Sequence, residues 1–165
     1  MDDMARNQSI NAVDVIPSDT INIPNPGKIT SGTNTSGAAL TLTDAGQNFL
    51  NSATNPNGYN IRGGDVVYSA AGVICEIESV DSATQLTLKV PGIAAGTYDI
   101  YKGNVANGDS PGYSLFVGTT GDVAIQTPGG EDVVMKNVGN ASFIPQQAIK
   151  VKAAGTTATD ILALL

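Results

Sequence analysis

The sequence predicts an all-β fold built from short antiparallel strands. Small and β-branched side chains dominate it, only 5% of its residues are aromatic, and 14% are charged. Apolar and polar residues alternate with period two in many short segments, which is the pattern of half-buried strands. A disordered chain would carry more charge and fewer β-branched residues. At 165 residues the chain is long enough for one domain or two small ones.

The first third of the chain is predicted to hold two short strands, a loop and one helix. Residues 1–8 are expected to form a flexible tail. Strands are predicted over 13–16 and 21–23, with a turn at 17–20 where Pro presets φ and Ser and Asp bond nearby backbone. Residues 28–39 are rich in Ser, Thr, Asn and Gly and predict a loop or an irregular edge.

A short helix is predicted over residues 41–50. Thr43 or Asp44 would cap its first turn, and Phe49 and Leu50 would anchor it to the core. The turn residues Asn-Pro-Asn-Gly at 55–58 would end it.

The middle of the chain carries the strongest strand signals. Alternation predicts strands over 65–69, 73–80, 85–90 and 96–101, joined by short turns in the manner of an antiparallel meander. The sequence separation between these strands is small, so the block could fold as its own small barrel or sandwich. Cys75 shares an apolar strand face with Val73 and Ile77, and we therefore expect a buried, unreactive thiol.

The last third of the chain is predicted to return to strands after a linker at 103–112. The predicted strands cover 113–117, 122–126, 131–136, 142–144 and 149–152. The sequence then finishes on four large apolar residues, and chain ends are usually polar unless something ties them down. We expect these residues to pack on a partner surface, in the same subunit or in a neighbouring one: Ile161, Leu162, Leu164 and Leu165.

Charge and composition exclude several classes of function. A net charge of −7 argues against binding to nucleic acid, which needs clustered Lys and Arg, and against docking on anionic membranes. No segment approaches the roughly 20 consecutive apolar residues that cross a bilayer. The chain has no histidine, which excludes Ser–His–Asp and Cys–His sites and leaves zinc without its usual ligands.

Carboxylate pairs remain as the only acid–base candidates. Glu76 and Glu78 share a strand face, and Glu131 and Asp132 lie beside a turn. Charged groups mostly stay exposed, so we interpret both pairs as solvated surface.

Three aspartates offer oxygen ligands for Ca²⁺ near turns, but their spacing matches no calcium loop. They are Asp109, Asp122 and Asp160. The paired glycines at 63–64 and 129–130 open no helix and so do not form a phosphate cradle. We predict no catalytic residue, no cofactor and no metal.

Four separated segments resemble one family of proteins. Residues 16–20 read Ile-Pro-Ser-Asp-Thr, and residues 115–124 read Leu-Phe-Val-Gly-Thr-Thr-Gly-Asp-Val-Ala. An Ile-Pro pair closes 138–145, and residues 154–160 read Ala-Gly-Thr-Thr-Ala-Thr-Asp. In this order they resemble the spike-base family of head proteins in tailed phages and gene-transfer agents. In that family the first two segments follow each other closely, whereas here residues from Pro24 to Gly112 separate them.

The separating residues look like an inserted module. Segments 43–50, 64–68 and 80–84 resemble a small β-domain found in various phage virion proteins. The resemblance implies a flexible N-terminal tail over 1–12 and a discontinuous, spike-base-like β-sandwich or jelly-roll-like domain over 13–24 and 110–165. It implies that 25–109 form an inserted small β-barrel or meander.

The resemblance implies a non-enzymatic virion structural protein of a tailed bacteriophage. Such a protein would bind the capsid as a homo-oligomeric decoration, cement or spike-base subunit, on the phage head surface, after synthesis in the host cytoplasm. Its expected partners are the major capsid protein or another virion protein, and further copies of itself in a trimer or pentamer. No nucleic acid and no membrane are expected among them.

Two other functions compete with this one. The first is a receptor- or glycan-binding module of a phage tail or head fibre, in which tyrosine rings stack on sugars, although such rings more often fill cores and contacts. The tyrosines available for this role are Tyr59, Tyr68, Tyr98, Tyr101 and Tyr113. The second is an enzyme with a carboxylate-only site, which ranks last because no substrate or residue pair stands out.

Overall fold

The computed structural model describes residues 12–25, 28–36, 40–50, 58–103 and 112–164. Within these ranges the chain forms thirteen strands and no helix, so the all-β prediction is confirmed and the described residues hold no helix that could cross a membrane. The strands are β1 (Ala12–Asp14), β2 (Lys28–Asn34), β3 (Thr41–Thr43), β4 (Val66–Ser69), β5 (Ile74–Ser82), β6 (Gln85–Leu88), β7 (Gly96–Tyr101), β8 (Tyr113–Thr119), β9 (Gly121–Gln126), β10 (Asp132–Val138), β11 (Ser142–Ala148), β12 (Lys150–Val151) and β13 (Thr159–Leu164).

Contacts divide the chain into two compact units. The discontinuous unit consists of Met1–Asp19 and Gly108–Leu165, and the continuous unit consists of Thr20–Asn107. The sequence instead predicts domain boundaries between residues 24 and 25 and between residues 109 and 110. Residues 21–23, predicted as a strand of the discontinuous domain, instead belong to the continuous unit and form no strand.

Two antiparallel sheets make up the discontinuous unit. The larger sheet has the strand order β1–β13–β8–β11, and the smaller has the order β10–β9–β12. In the larger sheet, register aligns one row of side chains that are each at most 5% exposed, because alternate residues of every strand point into the core. This row consists of Val13, Ala163, Leu115 and Ile144.

One six-stranded antiparallel sheet forms the continuous unit, in the order β2–β7–β4–β5–β6–β3. The predicted strands of the middle block are present, and β4, β5 and β6 pair in sequence as a meander. β7 departs from a simple meander, since it returns to pair with β4. The fully buried side chains of this unit's core include Leu42, Phe49, Val67, Cys75, Ile77, Leu86 and Ile100.

The predicted helix over 41–50 is wrong. Residues 41–43 form β3, where Leu42 is fully buried opposite Leu86 of β6. Asp44 caps no helix; its carboxylate accepts hydrogen bonds from the Thr33 N–H at 2.7 Å, the Gly46 N–H at 2.9 Å and the Tyr98 hydroxyl at 3.0 Å. Pairing with β6 and the hydrogen bonds that this carboxylate accepts outweigh the local helix preference, because those bonds offset the cost of burying it. Of the two predicted anchors, Phe49 is buried and Leu50 is 41% exposed.

The segment predicted as a loop or an irregular edge contains β2. β2 is an edge strand of its sheet, and its pairing with β7 shifts register between Lys28 and Thr30. The edge is therefore irregular, as predicted, but it is a strand. Asn34 explains why a polar sequence can pair here, because its buried side chain bonds backbone groups of Ile93 and Thr43.

Candidate subunit interface

The apolar residues of β13 divide between the two faces of the four-stranded sheet. Ile161 is 1% exposed and Ala163 is fully buried, so both belong to the core of their own unit. Leu162 and Leu164 point to the opposite face and are half-buried. Leu165 lies outside the described residues. Of the four predicted interface residues, Ile161 therefore has almost no surface left for a partner, and the prediction depends on Leu162 and Leu164.

Neighbouring strands extend the surface that Leu162 begins. Leu162 lies opposite Phe116 of β8, and Phe116 lies opposite Phe143 of β11. Directly opposed residues point to the same side of a sheet, so these side chains share one face. Phe143 is 58% exposed, the highest value among the exposed large apolar side chains of the described residues. We call this surface the outer apolar face: Leu162, Leu164, Phe116 and Phe143.

The start of β13 is held against the end of β8. Asp160 has a left-handed backbone with φ of 55°, and its carboxylate accepts hydrogen bonds from the hydroxyls of Thr119 at 2.5 Å and Thr159 at 3.1 Å. These bonds hold the pKa of the Asp160 carboxyl below its usual value. A Cβ atom on Gly118 would lie 2.8 Å from the Cβ of Asp160, so only glycine allows this approach.

The segments that resemble the spike-base family lie next to one another in the discontinuous unit. The first meets the end of β12, where the Ser18 N–H donates to the Val151 carbonyl at 2.8 Å. The Asp19 carboxylate also accepts from the Ala154 N–H at 3.0 Å. The Thr156–Thr157 pair then bonds β9, since the Thr157 hydroxyl oxygen accepts from the Asp122 N–H at 2.8 Å. Side chains of short polar residues thus hold together segments that are distant in sequence.

The two predicted carboxylate pairs are engaged in surface contacts. Glu76 forms an ion pair of 2.5 Å with Lys89, and this hydrogen bond raises the pKa of the lysine, while Glu78 is exposed. Asp132 forms an ion pair with Lys152, and Glu131 is exposed. Neither pair lines a buried site, and this agrees with their interpretation as solvated surface.

The predicted calcium aspartates do not converge. The Asp122 carboxylate accepts from the Lys136 ammonium at 2.7 Å and the Asn137 N–H at 2.9 Å, whereas the Asp160 carboxylate accepts from threonine hydroxyls. Asp109 lies outside the described residues. Across the part of the chain that the structure describes, no three His, Cys, Asp or Glu side chains are grouped to hold a metal ion.

Cys75 is fully buried, as predicted, with Ile77 on the same strand face. Burial raises the pKa of its thiol, so the thiolate that would react is disfavoured.

Most of the tyrosines considered for sugar stacking lack an accessible ring. Tyr68 is 8% exposed, and Tyr98 and Tyr113 are 2% exposed. Tyr101 is half-buried, with its ring 5.1 Å from that of Tyr68, and Tyr59 is 43% exposed. The described residues thus leave one strongly exposed tyrosine ring, which is too few for an aromatic platform.

A small cleft of 270 Å³ lies between residues 14–17 and 158–161 of the discontinuous unit. Its volume is below the roughly 300 Å³ at which ordinary ligand pockets begin. Asp14 and Asp160 are among its lining residues, and it carries no feature that selects a ligand.

Sequence reasoning identified the outer apolar face only in part. Phe116 and Phe143 were missed, because their place beside Leu162 depends on strand register rather than on spacing along the chain. Comparison of the chain with protein-family models, with curated proteins and with solved structures found no match.

Proposed function

We propose that this chain is a non-enzymatic structural protein of a tailed-phage virion. It acts as a homo-oligomeric decoration, cement or spike-base subunit on the head surface, and its partners are the major capsid protein or another virion protein and further copies of itself. The observation that carries the proposal is the outer apolar face, where four large apolar side chains share one side of the four-stranded sheet and Phe143 is 58% exposed.

Burial of this face explains why an acidic chain keeps large apolar groups on one sheet surface. Exposed apolar patches rimmed by polar residues mark protein–protein contacts. The row that crosses the sheet begins at the exposed Asp14 and continues through Leu162 and Phe116 to Phe143. The apolar residues thus occupy the middle and one edge of the sheet, where a neighbouring subunit of a closed trimer or pentamer can cover them.

The contacts between the family-like segments add support. Ser18, Asp19 and Thr157 hold together segments that were recognised separately in the sequence. Their resemblance to a spike-base protein is therefore carried by one compact unit. A glycan-binding role has less support, because Tyr68, Tyr98 and Tyr113 are buried.

The mass of the purified chain in solution tests the interface. We expect light scattering to give three or five copies, and we expect Phe143→Ser to lower that mass because it removes the most exposed apolar ring. Leu50→Ser is the matched control, since Leu50 is 41% exposed in the continuous unit and its replacement leaves the outer apolar face intact. An unchanged mass for Phe143→Ser would contradict the assignment of this face.

The location requires a separate experiment. Gold-labelled antibodies against the chain should decorate the heads of phage particles purified from the source culture. Absence of the chain from purified particles would overturn the virion assignment, and reproducible binding on a glycan array would favour the receptor-binding alternative.

A further inference from the structure

β10 presents one edge on which no described strand lies. It is the first strand of the order β10–β9–β12, so β9 is its only partner among the described strands. The Thr127 N–H donates to the Glu131 carbonyl at 2.9 Å, and register continues with Val133 opposite Ile125. Hydrogen-bonding direction alternates along an antiparallel strand. Val133 and Met135 therefore direct their backbone groups toward β9, and the backbone groups of Asp132 and Val134 face the open edge. The register shifts after Met135.

The core face of this sheet continues onto β10 without being covered there. Val151, Ile125 and Val133 form one row across the sheet, and their exposed fractions are 2%, 0% and 39%. On the opposite face of β10, Val134 is 46% exposed. Open, apolar edge strands are templates for pairing with another chain, so the question is which strand fits.

We infer that β10 pairs antiparallel with β10 of a second copy of this chain, about a two-fold axis at Val134. The sequence Asp132-Val-Val-Met-Lys136 is self-complementary in this register. Val134 meets its own symmetry mate, and Val133 meets Met135 of the second copy. Asp132 meets Lys136 of the second copy, so the pairing places opposite charges together at both ends.

Charge and backbone geometry select this register over its neighbours. Asp132 and Val134 direct backbone groups outward, so Val134 can form a hydrogen-bonded pair with its symmetry mate across the axis. A shift by one residue would turn the valines toward the wrong face. The side chains of Asp132 and Lys136 are 50% and 68% exposed. Each already bonds a partner within its subunit, Lys152 and Asp122 respectively, and retains surface for a second one.

This contact is separate from the outer apolar face, which lies on the other sheet, and it does not depend on the virion assignment. It is isologous, because the same patch serves both copies. Two seven-residue strands bury less than the roughly 1,600 Å² of a standard interface. The association is therefore expected to depend on protein concentration.

Cysteine cross-linking of the full chain tests the register. Val134→Cys places two thiols on a hydrogen-bonded pair with Cα atoms about 5.5 Å apart, within the range for a disulfide. Under mild oxidation we expect a covalent dimer. Val133→Cys is the matched control on the same strand, because its symmetry mate lies diagonally at about 7–8 Å. The native Cys75 is fully buried and does not contribute. Equal cross-linking of both variants, or none for Val134→Cys, would overturn the proposal.

Sedimentation of charge variants provides an independent test. Asp132→Lys sets two lysines against each other at both ends of the pairing, and we expect dimerisation to weaken about tenfold. The double variant Asp132→Lys with Lys136→Asp should restore it. Circular dichroism controls for folding, because both changes also remove ion pairs within the subunit. Self-pairing of β10 would be contradicted if the three proteins dimerised equally. It would also be contradicted if the mass of the wild-type chain did not change with protein concentration.

Discussion

Gly121 brings β9 so close to the segment before β13 that no side chain fits between them. A Cβ atom there would lie 2.3 Å from the backbone nitrogen of Ala158. Gly121→Ala must therefore displace backbone, and overpacking of this kind costs about 2 kcal/mol of unfolding free energy. Urea unfolding followed by circular dichroism measures the loss. Gly129→Ala is the control, because its Cβ would meet only the Thr127 hydroxyl at 3.7 Å; an equal loss in both variants would contradict the steric explanation.

The roles of individual residues were predictable where they depend on alternation alone. Period two correctly buried Cys75 beside Ile77. It was not applied to the final apolar residues, so β13 was not predicted and Ile161 was grouped with Leu162 and Leu164, although it lies on the opposite, buried face. It could not show that Gly118 and Gly121 face Asp160 and Ala158, because those contacts join segments far apart in the sequence. The sequence Gly-Thr-Thr-Gly at 118–121 predicts only a turn, and it does not indicate these contacts.

β10 keeps its pairing with β9 across an irregularity between Met135 and Val138. Asp122 of β9 binds the segment beyond Met135 through the Lys136 ammonium and the Asn137 N–H. These bonds lower the pKa of the Asp122 carboxyl from 3.8. A lowered pKa in the folded state stabilises the fold above the unfolded value, and that contribution is lost as pH falls through the folded pKa.

We therefore expect the unfolding free energy of the wild-type chain to fall as pH decreases below 3.8. Asp122→Asn should show a weaker fall, because its side chain no longer titrates. Unfolding in urea at a series of acidic pH values measures both slopes. Lys136→Met removes the hydrogen bond that contributes most to the lowered pKa of Asp122, so it should also weaken the dependence of unfolding free energy on pH. Parallel pH dependences in all three proteins would contradict this role of Asp122.

Strands were easier to predict than the segments between them. β4 to β7 appear where the pattern indicated, since each buries at least one face in its own unit. The failure at 41–50 has a specific cause: Asp44 resembles a helix cap, but its carboxylate instead binds Thr33 and Tyr98. The edge strand β2 was not predicted with certainty because its residues are mostly polar. It forms because its backbone pairs with β7 and because the buried Asn34 side chain bonds backbone groups, and composition reveals neither contact.

The continuous unit has a hydrophobic core of its own. Among the described residues, its buried cluster from Leu42 to Ile100 is formed by residues of that unit. We therefore expect residues 20–107, expressed alone, to unfold cooperatively and to give dispersed amide signals by NMR. A fragment of residues 108–165 is the contrasting control, because it lacks β1 and leaves the buried partners of Val13 uncovered. Collapsed amide dispersion for 20–107 would show that this unit needs the rest of the chain.

The pairing of β1 with β13 has a consequence for the order of events during synthesis. β1 leaves the ribosome before the continuous unit, yet its partner strand and the segment that binds Asp19 are translated after the whole continuous unit. The continuous unit can fold while translation proceeds, whereas β1 must wait. A chain interrupted before residue 159 lacks both the strand that covers Val13 and the leucines of the outer apolar face. If subunits assemble through the outer apolar face as proposed, unfinished chains would be excluded from assembly, because that face is complete only when β13 is present.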